Sequence, residues 1–438
     1  MKRVPPPRNP LAVYREKGMM MGHGMRGGRA TAAGKEQMKI LQLDIEGFRS
    51  LKKVSWRPGD LNVVIGPNGS GKSNLLRVLE LVSVAAQGGL AKHVQRSGGM
   101  DALVWDGKAE EIALGVVTSS VREAPPTSEL VYTLNLARLG DTSAYTIPSE
   151  SLLPASDLGN GRAKLEYMCR AGTAGRINDR LDKARGKIRI HDKVEVVEIK
   201  EDQALLALAG SPATGVDTVL RFCQQLCGWS IYNDVRVDQR AAVRQAVVTR
   251  MEKRVDADGQ NLINVLHTLY AGDRGFKQEI NAAMRAAFGD DFDELIFPPA
   301  ADQRVQLRVR WKTLSREQSA ADLSDGTLRF LFLLAVLANP SPSPLIAIDE
   351  PETGLHPTMQ AIVAEYAVEA SKRAQIILTT HSAQFLDAFH DTKPTTTVAK
   401  WVKGETILTT LEGGTLKQWL KEYSLGTLYR SGELEDME

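Results

Sequence analysis

The chain is poor in cysteine, in aromatic residues and in net charge, and it lacks long apolar runs. Of 438 residues, three are cysteine and 6% are aromatic. Three thiols cannot staple a small secreted scaffold, so that class is excluded. Cys223 and Cys227 are four apart and could share a helix face. A structural zinc site takes about four ligands, however, and no His pair stands at finger spacing. Buried thiols in a reducing cytoplasm are therefore the expectation. No apolar run reaches the roughly 18 residues of a membrane-spanning helix, so no membrane partner is expected. With 55 Lys+Arg against 53 Asp+Glu, bulk charge gives no argument for nucleic acid. What remains, 43% hydrophobic and 25% charged, is the composition of a globular protein of two or three lobes.

The charge is unevenly spread. Residues 1–37 hold eight basic and two acidic side chains, a net +6, which leaves −4 for the rest. They include Pro5-Pro6-Pro7 and Met19-Met20-Met21 with no sustained periodicity, which predicts a disordered basic tail. Two readings of it stay open: an extension or tag upstream of a functional start at Met38, or a tail that touches nucleic acid. It has no apolar core of a secretory signal.

Beyond it the periodicity sets the expected organisation. Alternation over 38–46 predicts a strand, and 61–65 a short buried one. A helix is predicted over about 73–84, with Leu75, Leu76, Leu79 and Val82 on one face. Alternating segments at 111–117, 130–136 and 194–199 predict an antiparallel, β-rich lobe. The period then turns helical, with Leu262, Val265, Leu266 and Leu269 in one stripe. Strands are predicted near 294–312, at 345–348 and at 375–379, with helices near 326–338 and 357–371. The expected layout is a tail at 1–37, a first lobe at 38–201, a helical insertion at 202–292 and a second lobe at 293–438.

Four motifs carry chemistry. Gly66-Pro67-Asn68-Gly69-Ser70-Gly71-Lys72-Ser73, followed by Asn74, fits G-x-x-x-x-G-K-[ST] between a strand and a helix. Glycines let backbone N–H groups close around phosphates, and the helix N-terminus adds partial positive charge. Lys72 is then placed for the β- and γ-phosphates and Ser73 for Mg²⁺. Second, the apolar run 345–348 delivers Asp349 and Glu350 at a strand end, where open α/β sheets bind ligands. Asp349 would hold Mg²⁺ through water, and Glu350 would polarise an attacking water. Third, Leu323-Ser324-Asp325-Gly326-Thr327 opens a helix. Fourth, Thr379-Thr380-His381-Ser382 follows a strand and offers His381 as a donor to a γ-phosphate.

That order, with the opening Glu46-Gly47-Phe48-Arg49-Ser50-Leu51 and the ending Trp419 to Leu428, resembles the stand-alone ABC-type ATPases of the RecF, SMC and OLD-like superfamily. The resemblance covers most of 38–438. It implies an α/β fold: a P-loop ABC-type ATPase head with an antiparallel β-rich lobe and a helical insertion. It implies ATP and Mg²⁺ as ligands and a homodimer closing head-to-tail around ATP. Ser324 and Gly326 would contact ATP held by the second copy. Residues 352–356 would form the interface loop, His381 the switch histidine, and Gln203 the glutamine that reaches the metal. Asp325 and Thr327 depart from the transporter-type signature, which carries Gly and Gln there. The resemblance further implies DNA maintenance or anti-phage defence. Only 57 residues follow His381, short for a further catalytic domain, so an effector, nuclease or toxin, is expected in trans. DNA is a candidate partner. The alternative is an ATP-gated module that binds DNA ends or an effector with negligible turnover.

Two arginine features stay open. Arg236, Arg240 and Arg244 recur every four residues, as a solvated helix face paired with Asp238 and Glu252 or as a nucleic-acid-facing stripe. Arg49 could approach ATP or nucleic acid, or cap a turn.

Overall fold

The computed structural model describes residues 37–120, 129–140, 143–155, 166–178, 194–209, 217–389, 392–411 and 425–433. The expected tail, apart from Gln37, lies outside them, as do residues 419–424. Two compact units emerge. One comprises Met1–Arg57, Val78–Gly228 and Val402–Thr406; the other comprises Pro58–Arg77, Trp229–Trp401 and Ile407–Glu438.

In chain order the strands are β1 (Ile40–Phe48), β2 (Leu51–Trp56), β3 (Leu61–Ile65), β4 (Glu111–Thr118), β5 (Leu130–Arg138), β6 (Tyr145–Pro154), β7 (Met168–Ala171), β8 (Ala174–Asn178), β9 (Val194–Glu198) and β10 (Ser230–Tyr232). Six short ones follow: β11 (Val247–Val248), β12 (Phe292–Ile296), β13 (Pro299–Ala300), β14 (Arg304–Val305), β15 (Arg308–Trp311) and β16 (Gln318–Ser319). Then come β17 (Leu345–Asp349), β18 (Gln375–Thr380), β19 (Thr395–Val402) and β20 (Glu405–Thr410).

The first unit is built on an eight-stranded antiparallel sheet in the order β2-β1-β4-β5-β6-β7-β8-β9. The alternation in β1 is broken once. A register shift between Ile40 and Gln42 lets both Ile40 and Leu43 turn inward. Gly47, at φ 76°, allows the close approach of the Glu111 carbonyl before the turn into β2. The helix Asp217–Cys227 packs Phe222 on Tyr132, with ring centroids 5.6 Å apart. Cys223 is buried as expected, whereas Cys169 and Cys227 are half-buried; all three are free.

The second unit centres on a six-stranded sheet in the order β10-β17-β18-β3-β19-β20. From β10 to β19 every pairing is parallel. β3, β17 and β18 are buried nearly throughout, which is why they read as continuous apolar runs rather than alternations. Helices Leu262–Gly272, Arg274–Phe288, Asp325–Leu337 and Pro357–Ser371 contribute to the surrounding core.

Arg236, Arg240 and Arg244 do not form a helical stripe. Residues 229–261 contain no α-helix. β10 instead joins the parallel sheet beside β17, and a 3₁₀ turn Ala242–Arg244 follows. Four-residue spacing without an accompanying apolar stripe was no helix signal, and sheet pairing won. Arg236 and Arg240 are exposed beside Asp234 and Asp238, whereas Arg244 is buried.

Candidate active site

Strand order builds the site. β3 lies beside β18, and β18 beside β17, all parallel, with Ile65 opposite Thr380 and Thr379 opposite Asp349. Three strand ends therefore open on one edge: the glycine loop after β3, Thr380-His381 after β18, and Asp349-Glu350 at β17. That is the edge at which parallel α/β sheets present ligand groups.

The loop after β3 turns through positive φ at Gly66, Gly69 and Gly71. A Cβ on Gly66 would stand 2.3 Å from the Ala399 carbonyl oxygen, so only glycine fits there. The helix Lys72–Ala86 then begins. Asn68 and Gly69 are exposed, Gly71, Ser73 and Asn74 half-buried, and Ser70 and Lys72 buried. Lys72 Nζ donates to the carbonyls of Gly66 (2.8 Å) and Pro67 (3.0 Å). Burial pushes its ammonium below the ordinary range, and the carboxylates of Glu350, Asp349 and Glu352 oppose that shift.

Opposite, residues 379–381 pair one-to-one with carboxylates. Thr379 Oγ1 donates to Asp349, and Thr380 Oγ1 to Glu352. His381 Nδ1 lies 2.9 Å from Glu350 Oε1. Glu350 has a left-handed backbone, φ 46°, held by its N–H donating to the Thr379 carbonyl (3.2 Å) and hydroxyl (3.1 Å). Ser382 N–H donates to Thr380 Oγ1 at 2.9 Å, which fixes the turn that carries His381. Glu352 is buried, and desolvation raises its carboxyl above the usual range, with the Thr380 hydroxyl opposing.

Ser324 caps the helix Asp325–Leu337, its Oγ accepting from Thr327 N–H at 3.1 Å. Ser324 and Asp325 are exposed. Gly326 packs on the turn after β17: a Cβ there would meet the Gly354 carbonyl oxygen at 2.5 Å. The signature and the segment 350–356 are thus in direct contact. His356 caps the following helix through Thr358 N–H.

The strand ends thus gather Lys72, Asp349, Glu350 and His381, and Gly326 meets the turn that follows Glu350. Arg49 and Gln203 belong to the first unit. Arg49 sits in the β1–β2 turn at φ 45°, its N–H donating to the Leu103 carbonyl at 2.7 Å. Gln203 lies in the turn after β9, its carbonyl accepting from Arg170. Sequence reasoning missed Thr379 and Thr380 as partners of the carboxylates. Their threonine-threonine run before His381 was the available signal. It grouped Arg244 with Arg236 and Arg240 in one stripe and missed that Arg244 is buried against residues 320–325. Asp349 and Ser73 offer hard oxygen donors of the class Mg²⁺ takes. Among the described residues no group of three or more His, Cys, Asp and Glu could hold a metal ion alone.

Residues 162–387 match the family model described as "AAA domain, putative AbiEii toxin, Type IV TA system", half of the chain. The chain belongs to this family. Residues 38–98, with the glycine loop, match a model described as "AAA ATPase domain". No curated protein matches. An SMC head solved in complex with the C-winged helix domain of ScpA is similar at 15% identity and TM-score 0.52, covering 86% of this chain and 99% of that one. An SMC head with an extended coiled coil, bound to the C-terminal domain of ScpA derived from Pyrococcus furiosus, is 14% identical at TM-score 0.49, covering 88% and 99%. An SMC head from Thermotoga maritima is 15% identical at TM-score 0.42, covering 86% and 100%. The first likeness shows the fold, that of an SMC head, and the family models give an AAA ATPase. No helix among the described residues is long and apolar enough to cross a membrane.

Proposed function

We propose that this family member binds and hydrolyses Mg·ATP at the shared strand edge, between two copies of the chain. The observation that carries the reading is the pairing of Thr379, Thr380 and His381 with Asp349, Glu352 and Glu350, beside Lys72. Residues 68–74 would cradle the phosphates, with Lys72 exchanging carbonyl partners for phosphate oxygens. Ser73 and Asp349 would hold Mg²⁺, which when bound neutralises charge developing on the phosphates. Glu350 takes a proton from water as its oxygen bonds to the γ-phosphorus, and the bond to the β-bridging oxygen breaks to release ADP. His381 hydrogen-bonds Glu350 and holds its carboxylate toward the strand edge. Arg49 and Gln203 would complete the site as nucleotide and metal contacts.

Ser324 is exposed and Gly326 half-buried at a capped helix N-terminus, which suits the turn to meet the triphosphate held by a second copy. The cycle would open and close a dimer in the cytoplasm that works with an effector, nuclease or toxin, in DNA maintenance or phage defence. The similar SMC head of TM-score 0.52 is bound to a second protein, which supports a partner in trans. The test is Glu350→Gln with Mg·ATP in sedimentation. An accumulating dimer that retains ATP supports the reading. A monomer at saturating ATP contradicts it, and dimers in wild type with negligible turnover would favour an ATP-gated binding module.

A further inference from the structure

Arg244 is 6% exposed, and its side chain only 3%. A buried guanidinium persists only when its donors are satisfied. Here Nε donates to the Val237 carbonyl at 2.8 Å and more weakly to that of Asp238. Nη1 donates to the carbonyls of Leu323 (2.7 Å) and Ala321 (3.1 Å), with Ala320 at 3.4 Å. Nη2 donates to the Asp325 carboxylate, which is itself 64% exposed.

The acceptors have a pattern. Those of the two Nη atoms lie before and after Ser324, so the fork grips both flanks of the signature serine while Nε ties it to Val237 and Asp238. The chain needs such a grip. Ala320–Asp322 is a single 3₁₀ turn, and Ser324 and Asp325 are exposed. Other holds are Ala320 N–H donating to the Leu307 carbonyl (3.0 Å), Gln318 Nε2 donating to the Asp322 carbonyl (3.2 Å) and the close approach of Gly326 to Gly354. Asp325, the departure from the transporter-type signature, is the side chain through which the fork reaches past Ser324.

We propose that Arg244 is the positioning residue of the signature turn: it presets Ser324 and Gly326 to engage the triphosphate of a second copy. The inference rests on the dimer reading above and goes beyond it, because Arg244 belongs to none of the motifs. It touches neither Lys72 nor the carboxylates of Asp349, Glu350 and Glu352, so its loss is expected to separate nucleotide binding from association.

The experiment places Arg244→Lys and Arg244→Met in the Glu350→Gln chain and measures three things. These are ATP binding at monomeric concentration, ATP-dependent association, and amide hydrogen exchange over 320–327. Lysine keeps the charge but cannot span both flanks of Ser324. Arg244→Lys is expected to bind ATP within about twofold of the parent, to associate at least about tenfold more weakly, and to exchange faster at 320–327. Arg244→Met is expected to be worse in association. Should the methionine chain fail to fold, the lysine chain decides alone. Parent-like association and exchange in Arg244→Lys would overturn the proposal while leaving the dimer reading standing. Equal losses of ATP binding and association would also overturn it, as the mark of a general structural role. A parent that never associates with ATP would remove the dimer reading, and the proposal with it.

Discussion

The two main sheets of this chain carry buried charge in different ways. In the antiparallel sheet, fully buried Glu150 on β6 accepts from Tyr132 Oη (2.9 Å) and from the N–H groups of Leu205 (2.6 Å) and Leu206 (3.0 Å). Arg170 on β7 donates to the carbonyls of Lys200 and Glu201, both at 3.0 Å, and of Gln203. Both charges face protein backbone and leave nothing to offer a ligand. In the parallel sheet, Asp349, Glu350 and His381 stand at strand ends and keep part of their surface open. Parallel strands align their ends on one edge, whereas antiparallel neighbours alternate theirs. One arrangement clamps a loop; the other collects reactive groups. Arg244 shows the clamping mode inside the second unit.

The comparison can be broken experimentally. The largest effect is expected at the open edge: Glu350→Gln should cut ATP turnover about 100- to 10,000-fold in phosphate-release assays with ATP binding retained. Thr379→Val removes the hydroxyl that serves both Asp349 and the Glu350 N–H. Turnover is expected to fall about tenfold or more, with an unfolding cost of only about 1 kcal/mol by denaturant titration. In the clamping sheet the order should reverse. Glu150→Gln sets an amide NH₂ against a backbone N–H and should cost about 1–3 kcal/mol of stability. Its effect on turnover then reports whether the Gln203 loop serves the site at all.

The smallest effect is in pH dependence. Burial raises the carboxyls of both Glu150 and Glu352 above their ordinary value of 4.5. A raised acid takes up a proton on folding, so stability should fall as pH rises from 4.5 through the raised value. Urea midpoints across that window should show the slope, and Glu352→Gln should flatten it. A flat wild-type profile would show that neither carboxyl is shifted.

Much of the site was legible in the residues, because glycine-loop chemistry and fully buried strands leave strong local patterns. The strands expected at 61–65 and 345–348 and the helix expected near 357–371 stand at Leu61–Ile65, Leu345–Asp349 and Pro357–Ser371. What was not legible depends on register. That Thr379 meets Asp349 follows from β17 and β18 pairing in parallel across thirty residues, which no local pattern encodes. Gly326 against Gly354 is likewise a packing fact. The arginines at 236, 240 and 244 misled because their spacing matched a helix turn while their neighbours built a strand and a loop.

The central claim is that the catalytic edge of one copy is completed by the signature turn of another. Phosphate release per chain, measured over a wide range of chain concentration at saturating Mg·ATP, tests it most directly. If two copies share each site, the rate per chain rises with concentration and then levels off as dimers fill. A rate per chain that stays constant down to the most dilute samples, with the chain sedimenting as a monomer throughout, would contradict it.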